Sequence, residues 1–189
     1  EQARDHEGFA GDNNRTTIFD YWSISTIRRW MNGGKCDDEL LSPHERWLRD
    51  VYKKVLTLCN DRIALREGAF FDLMYANLRQ PGFDPHRHFA FLRYKGDDVL
   101  LIVVNFSREE SHVNIMIPEL AFSMTGMQQG EVVTQDLLWG KSHKLKLSAD
   151  STVSVYLSSA DAVVLPVGRL SQFTGSKMSG SQLRGEKKS

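Results

Sequence analysis

Two cysteines, Cys36 and Cys59, stand in 189 residues. That is too few for the disulfide framework of a small secreted scaffold. Neither belongs to a CxxC pair, so a thiolate zinc site has no ligand set to start from. Excess charge of either sign is also missing, with Lys+Arg and Asp+Glu both at 24. A neutral chain has no basic field to displace the counterions of a nucleic acid, and no nucleic-acid partner is expected. No apolar run approaches the length that spans a bilayer and no charged-then-apolar leader opens the sequence, so no membrane partner is expected. There is no GxSxG nucleophile elbow and no HExxH pair. His44, His86, His88, His112 and His143 are scattered, and "HRH" (His86 to His88) reads as a loop entering a strand.

What is present is apolar material for a core, 41% of the residues. The clearest pattern is "SPHERWLRDVYKKVLTLCN". Ser42 is an N-cap, Pro43 suits the first helical position, and Glu45 completes a capping box with Ser42. Trp47, Leu48, Val51, Tyr52, Val55, Leu56 and Cys59 then recur at three and four, giving one wide apolar stripe with Cys59 expected as a small core residue. Gly68 closes the connection after the helix. From there the period changes to two. "AFFDLMYANL", "HFAFLRY", "DVLLIVVNF", "HVNIMIP", "EVVTQDLL", "KLKLS", "TVSVYLS" and "DAVVLPV" read as strands. "LLIVVNF" is apolar on both faces and is expected at the centre of a sheet. "KGDD" (Lys95 to Asp98) is a hairpin turn. Strands at this spacing, with no helical pattern between them, predict an antiparallel β-sandwich, a mainly β fold.

Three regions follow: a polar loop with one amphipathic helix over 1–62, the sandwich over 69–166, and a Ser-, Gly- and Lys-rich tail over 168–189 that can bury little and is expected to be disordered. Asp37, Asp38 and Glu39 read as a solvated acidic loop ahead of the helix, where negative charge is mildly favourable. The helix lacks a partner surface. The chain opens on Glu1, in a polar loop that runs into aromatics, and is expected to continue a longer polypeptide.

"GFAGDNNRTTIFDYW" (8–22), the helix, "GAFFDLMYAN", "HFAFLRY" and "VLLIVVNFS" together resemble, in order and with the expected gaps, the C-terminal part of a bacterial alpha-amylase, of the alpha-amylase family of glycoside hydrolases (family thirteen). The resemblance spans about residues 1–165. It implies that 1–62 are the loop after strand eight and helix eight of a catalytic (β/α)8 barrel. The sandwich is then the C-terminal domain, and a barrel segment outside this chain covers the helix from Pro43 to Asn60. The parent enzyme is expected to act on α-glucans (starch, maltooligosaccharides) by a retaining mechanism.

Retaining hydrolysis needs two carboxyl groups about 5–5.5 Å apart. By resemblance these lie on barrel strands that the chain lacks, so no catalytic residue is assigned and the fragment alone is expected to be inactive structural support. No cofactor is expected in this chain. Calcium is possible in the parent, but Asp12 alone cannot supply the roughly six to eight oxygens it takes. Barrel enzymes place substrate contacts on loops at one face. The resemblance puts Asp12, Asn13 and Arg15 on such a loop as candidates for sugar hydroxyls. Their bland alternative is an Asp–Arg pair and an Asn turn that only shape the loop. Asn14 stands where the family commonly has glycine, and Asn tolerates the left-handed backbone such a turn needs. Among Trp22, Trp30, Trp47 and Trp139, the last lies at a turn before Gly140 and is the best exposed platform for a sugar ring, the alternative being a packed aromatic. A free-standing carbohydrate-binding sandwich is the rival function. A purely structural domain is the third class.

Overall fold

In the computed structural model, which describes residues 25–168, the first described elements are α1 (Ser25–Met31) and a 3-10 turn (Asn32–Gly34). Helix α2 (Pro43–Asp61) begins at the expected capping box. The Ser42 N–H donates to Glu45 Oε2 at 2.8 Å and the Glu45 N–H to Ser42 Oγ at 3.3 Å, so two otherwise orphaned donors are satisfied reciprocally. Arg29 of α1 also pairs with Glu45, and this ion pair holds the carboxyl down from 4.5 to about 2. Asp37 accepts from Asn32 Nδ2 at 2.8 Å and Asp38 pairs with Arg49. The acidic loop is thus tied to its own neighbours. The chain divides into two compact units within α2, between Leu56 and Thr57.

The second unit begins with the end of α2 and α3 (Ile63–Arg66). Strand β1 (Ala69–Asp72) follows at once. Gly68 makes this possible, since a Cβ there would stand 2.1 Å from the Ala64 carbonyl oxygen. After α4 (Met74–Asn77) come β2 (His88–Lys95), β3 (Asp98–Asn105), β4 (Ser111–Met116), α5 (Glu119–Thr125), β5 (Gly130–Gln135), β6 (Ser142–Leu147), β7 (Thr152–Leu157) and β8 (Asp161–Pro166). All pairings are antiparallel. One sheet has the order β1-β2-β3-β8, and the pairs β4-β7 and β5-β6 form the opposing layer. The β2–β3 hairpin turns at Gly96 (φ 58°), with Lys95 opposite Asp98 as its sequence predicts.

Alternation builds the core. Ala90, Leu92, Leu101, Val103, Val163 and Leu165 face inward from the four-stranded sheet and meet Val113, Ile115, Val153, Val155, Leu145 and Leu147. The other face of β3 is buried too. Leu100, Ile102 and Val164 are covered by Ala64, with Leu58, Leu65 and Phe91 packed alongside. Fully burying one such side chain stabilises by about 1.5–3 kcal/mol. Strand β3 is therefore the central strand that its unbroken apolar run predicts. Asp98 at its start is 5% exposed. It accepts the Ala64 N–H at 3.1 Å and pairs with Arg62, which pins α3 to the sheet.

The structure corrects three expectations. "AFFDLMYANL" is not one strand. Asp72 Oδ1 accepts the Met74 N–H at 2.7 Å and turns the chain into α4. Asn77 then locks α4 by donating to Leu73 O and Met116 O and accepting the Met116 N–H at 2.7 Å. Helical segments do interrupt the strands. Besides α4, α5 starts after Pro118 and ends at the left-handed Gly126, whose N–H caps Phe122 O. Cys59 is exposed rather than in the core. It lies on a helix none of whose residues is buried.

Candidate functional site

Asp12, Asn13 and Arg15 lie outside the described residues, as do Trp22 and the tail from residue 169. Of the expected site residues, only Trp139 can be placed.

Trp139 is held by a turn built on one carboxylate. Asp136, 1% exposed, accepts the N–H groups of Leu138 (3.1 Å), Trp139 (2.9 Å) and Val164 (2.9 Å). The Gly140 N–H closes the turn on Asp136 O at 2.9 Å. The indole N–H of Trp139 donates to Asp161 Oδ1 at 2.9 Å and Ala162 O at 3.0 Å. The ring is fixed by its polar edge and is 36% exposed. A buried carboxylate three residues before an indole positions that ring, so Trp139 is both anchored and accessible. Trp30 and Trp47 are more exposed still, at 39% and 54%.

The sequence reading missed a second place. A cleft of about 310 Å³ opens where β2 begins, β3 ends and β4 begins. Asp84, Arg87 and His88 line one side, and Ser107, Glu109 and Glu110 the other. Gly82 is required at its edge. Its φ is +81°, and a Cβ would stand 2.4 Å from Asn114 Nδ2. Asp84 organises the first side, accepting the His86 N–H on Oδ1 at 2.9 Å and pairing with Arg87 at 3.4 Å. Arg87 reaches across to Glu109 at 3.2 Å. The buried Asn105 holds the second side, donating to Glu109 O and Ser158 O and accepting the Ser107 N–H.

His88 is 6% exposed. Its Nδ1 accepts the Asp84 N–H at 3.0 Å, which leaves the proton of the neutral ring on Nε2. Burial pushes its pKa below 6.5, against the pull of Asp84. Beside the cleft, His112 packs on Tyr156 with centroids 5.1 Å apart, and the Tyr156 hydroxyl donates to Glu110 Oε2 at 2.6 Å. That bond to a carboxylate raises the phenol's pKa above 10. The signal available in sequence was the pair "DPHRH" and "SREESH", two polar, titratable loops flanking β2, β3 and β4.

Among the described residues, no three His, Cys, Asp or Glu side chains come together as a cation site. No described helix is long and apolar enough to cross a membrane.

A scan against protein-family models finds no match, nor does a search of the curated proteins. Solved structures do match in fold. AmyP in complex with maltose aligns at TM-score 0.50 and 17% identity, over 71% of this chain and 22% of that one. Its variant in complex with maltotriose aligns at TM-score 0.50 and 18% identity, over 69% and 22%. A noncanonic maltogenic alpha-amylase, AmyB from Thermotoga neapolitana, aligns at TM-score 0.50 and 13% identity, over 70% and 28%. The described sandwich thus has the fold of the β-rich C-terminal domain of amylase-type enzymes. The chain spans only 22% to 28% of the length of these structures.

Proposed function

We propose that this chain is the C-terminal part of an alpha-amylase-type retaining glycoside hydrolase acting on α-glucans. Residues 1–62 complete its catalytic barrel, and 69–166 form a supporting sandwich. The observation that carries this reading is the unburied apolar stripe of α2, set ahead of a sandwich whose core closes on itself and whose fold is that of amylase C-terminal domains. The stripe fits a barrel helix whose neighbours lie upstream. The acid/base and nucleophile carboxyls then come from upstream barrel strands, spaced for a covalent intermediate. Asp12, Asn13 and Arg15 would contact sugar hydroxyls on the loop after strand eight. The fold neighbour AmyP, solved with maltose and with maltotriose, supports the substrate class.

The test is to extend the reading frame upstream of Glu1, express the longest product, and measure reducing ends released from soluble starch. Hydrolysis is expected from that product and none from residues 1–189. An inert long product, or hydrolysis by residues 1–189, overturns the proposal. The anchored Trp139 favours a second reading, a glucan-binding sandwich. A shift of Trp139 fluorescence on adding maltooligosaccharide to the isolated chain would support it.

A further inference from the structure

The cleft between Asp84–His88 and Ser107–His112 combines features that select a ligand class. His88 lines it with a ring whose Nδ1 is taken by the Asp84 N–H, and no described residue accepts from its Nε2–H. That N–H is not sealed from solvent, so it is open to donate to a ligand lodged in the cleft. Around it stand the carboxylates of Asp84, Glu109 and Glu110, which only accept, and the Arg87 guanidinium, which only donates. A cation meets Arg87 and finds no three-ligand set among the described residues. An anion meets three carboxylates. A sugar hydroxyl both donates and accepts, so it satisfies both kinds of group.

Two exposed aromatics next to lining residues offer the apolar half of the recognition. Phe106 is 71% exposed, and its N–H donates to Arg87 O at 2.8 Å, which fixes its backbone beside the cleft. Tyr156 is 42% exposed and is steadied by His112 and Glu110. Aromatic faces of this kind accept the C–H face of a pyranose. At about 310 Å³ the cleft falls at the small end of the range of ligand pockets.

We propose that this cleft is a carbohydrate-binding site for a short stretch of α-glucan, gripped through hydroxyls by His88, Arg87 and the glutamates and flanked by Phe106 and Tyr156. It deepens the α-glucan reading above and rests on it for the sugar.

The test is a titration of the full 189-residue chain with maltotriose, followed by amide and imidazole NMR shifts, with inorganic sulfate as a parallel probe. Shifts are expected at Arg87, His88 and Ser107 to His112, and at Tyr156. The exposed pair E109Q/E110Q should keep the fold and weaken binding about tenfold, as should F106A. No shift with maltotriose, shifts confined to the Trp139 turn, or a response to sulfate alone would each overturn the site. Starch hydrolysis by the upstream-extended protein separates the two ideas. Hydrolysis with a silent cleft removes only the cleft proposal. Cleft shifts with an inert long product remove the glycosidase reading and leave a sugar-binding module.

Discussion

Leu101 in β3 and Leu56 in α2 are the same residue type, each in an apolar pattern, yet the first is 0% exposed and the second 61%. Strand β3 has both faces covered by residues of this same chain, one by the opposing layer and one by Ala64 and its neighbours. Along α2 no residue is buried, and Trp47, Tyr52 and Val55 share the exposure of Leu56. Most helical stability in proteins comes from packing an amphipathic face rather than from propensity. On the proposed reading, the packing surface for a stripe this wide belongs to a barrel segment outside this chain. Equal hydrophobicity therefore says where a residue wants to be. Only the rest of the chain says whether that place exists.

The widest gap between the two regions should appear on truncation. Leu101→Ala should destabilise the sandwich by about 3 kcal/mol or more, the transfer loss plus the cavity left behind. Leu56→Ala should change stability by no more than about 0.5 kcal/mol, as surface substitutions do. Urea unfolding of both variants measures the contrast. Similar losses at the two positions would mean that α2 is covered in solution.

The anchor of α3 on the sheet gives the next effect. Asp98 accepts the Ala64 N–H and pairs with the partly exposed Arg62. Asp98→Ala should cost about 2 kcal/mol, since it leaves a buried N–H without an acceptor. Hydrogen exchange at the Ala64 amide should accelerate well before that of β3. If Ala64 exchanges no faster, the carboxylate is not what holds α3.

Most of this architecture was legible because its signals are local and periodic. The capping box of Ser42 and Glu45, the Lys95–Asp98 hairpin and the doubly apolar β3 each follow from spacing alone. What was not legible depends on distant partners. The lock at Asn77 needs Met116, which lies 39 residues away and holds α4 where the sequence looks like a strand. Cys59 obeys the helix period, but period cannot supply the neighbour that would bury it. The Trp139 turn was visible as a Trp-Gly turn, whereas the role of Asp136 in building it was not. The cleft was invisible for the same reason. Its two loops are separate polar stretches in sequence, and only the antiparallel pairing of β2 with β3 brings them together.

The smallest expected difference is in acid, and its two limbs fall at different pH. In the sandwich, burial lowers the His88 pKa, so the folded state favours the neutral ring. The unfolded chain then binds the proton first, and this contribution is present above 6.5 and fades as pH falls below it. Ahead of α2, Arg29 holds Glu45 at about 2 against an ordinary 4.5. That contribution is present above 4.5 and is lost as pH falls toward about 2. The Arg29 side chain is 39% exposed and screened by solvent, which limits the pair to at most about 1 kcal/mol. Thermal melts read at the β2 amides should begin to soften below 6.5, while the amides of α1 and the first turn of α2 hold until below 4.5. In Glu45→Gln, which keeps the cap but not the charge, the helical limb should flatten and the sandwich limb remain. A single shared acid transition unaffected by E45Q would show that the two regions unfold together and that the ion pair with Arg29 contributes nothing to either.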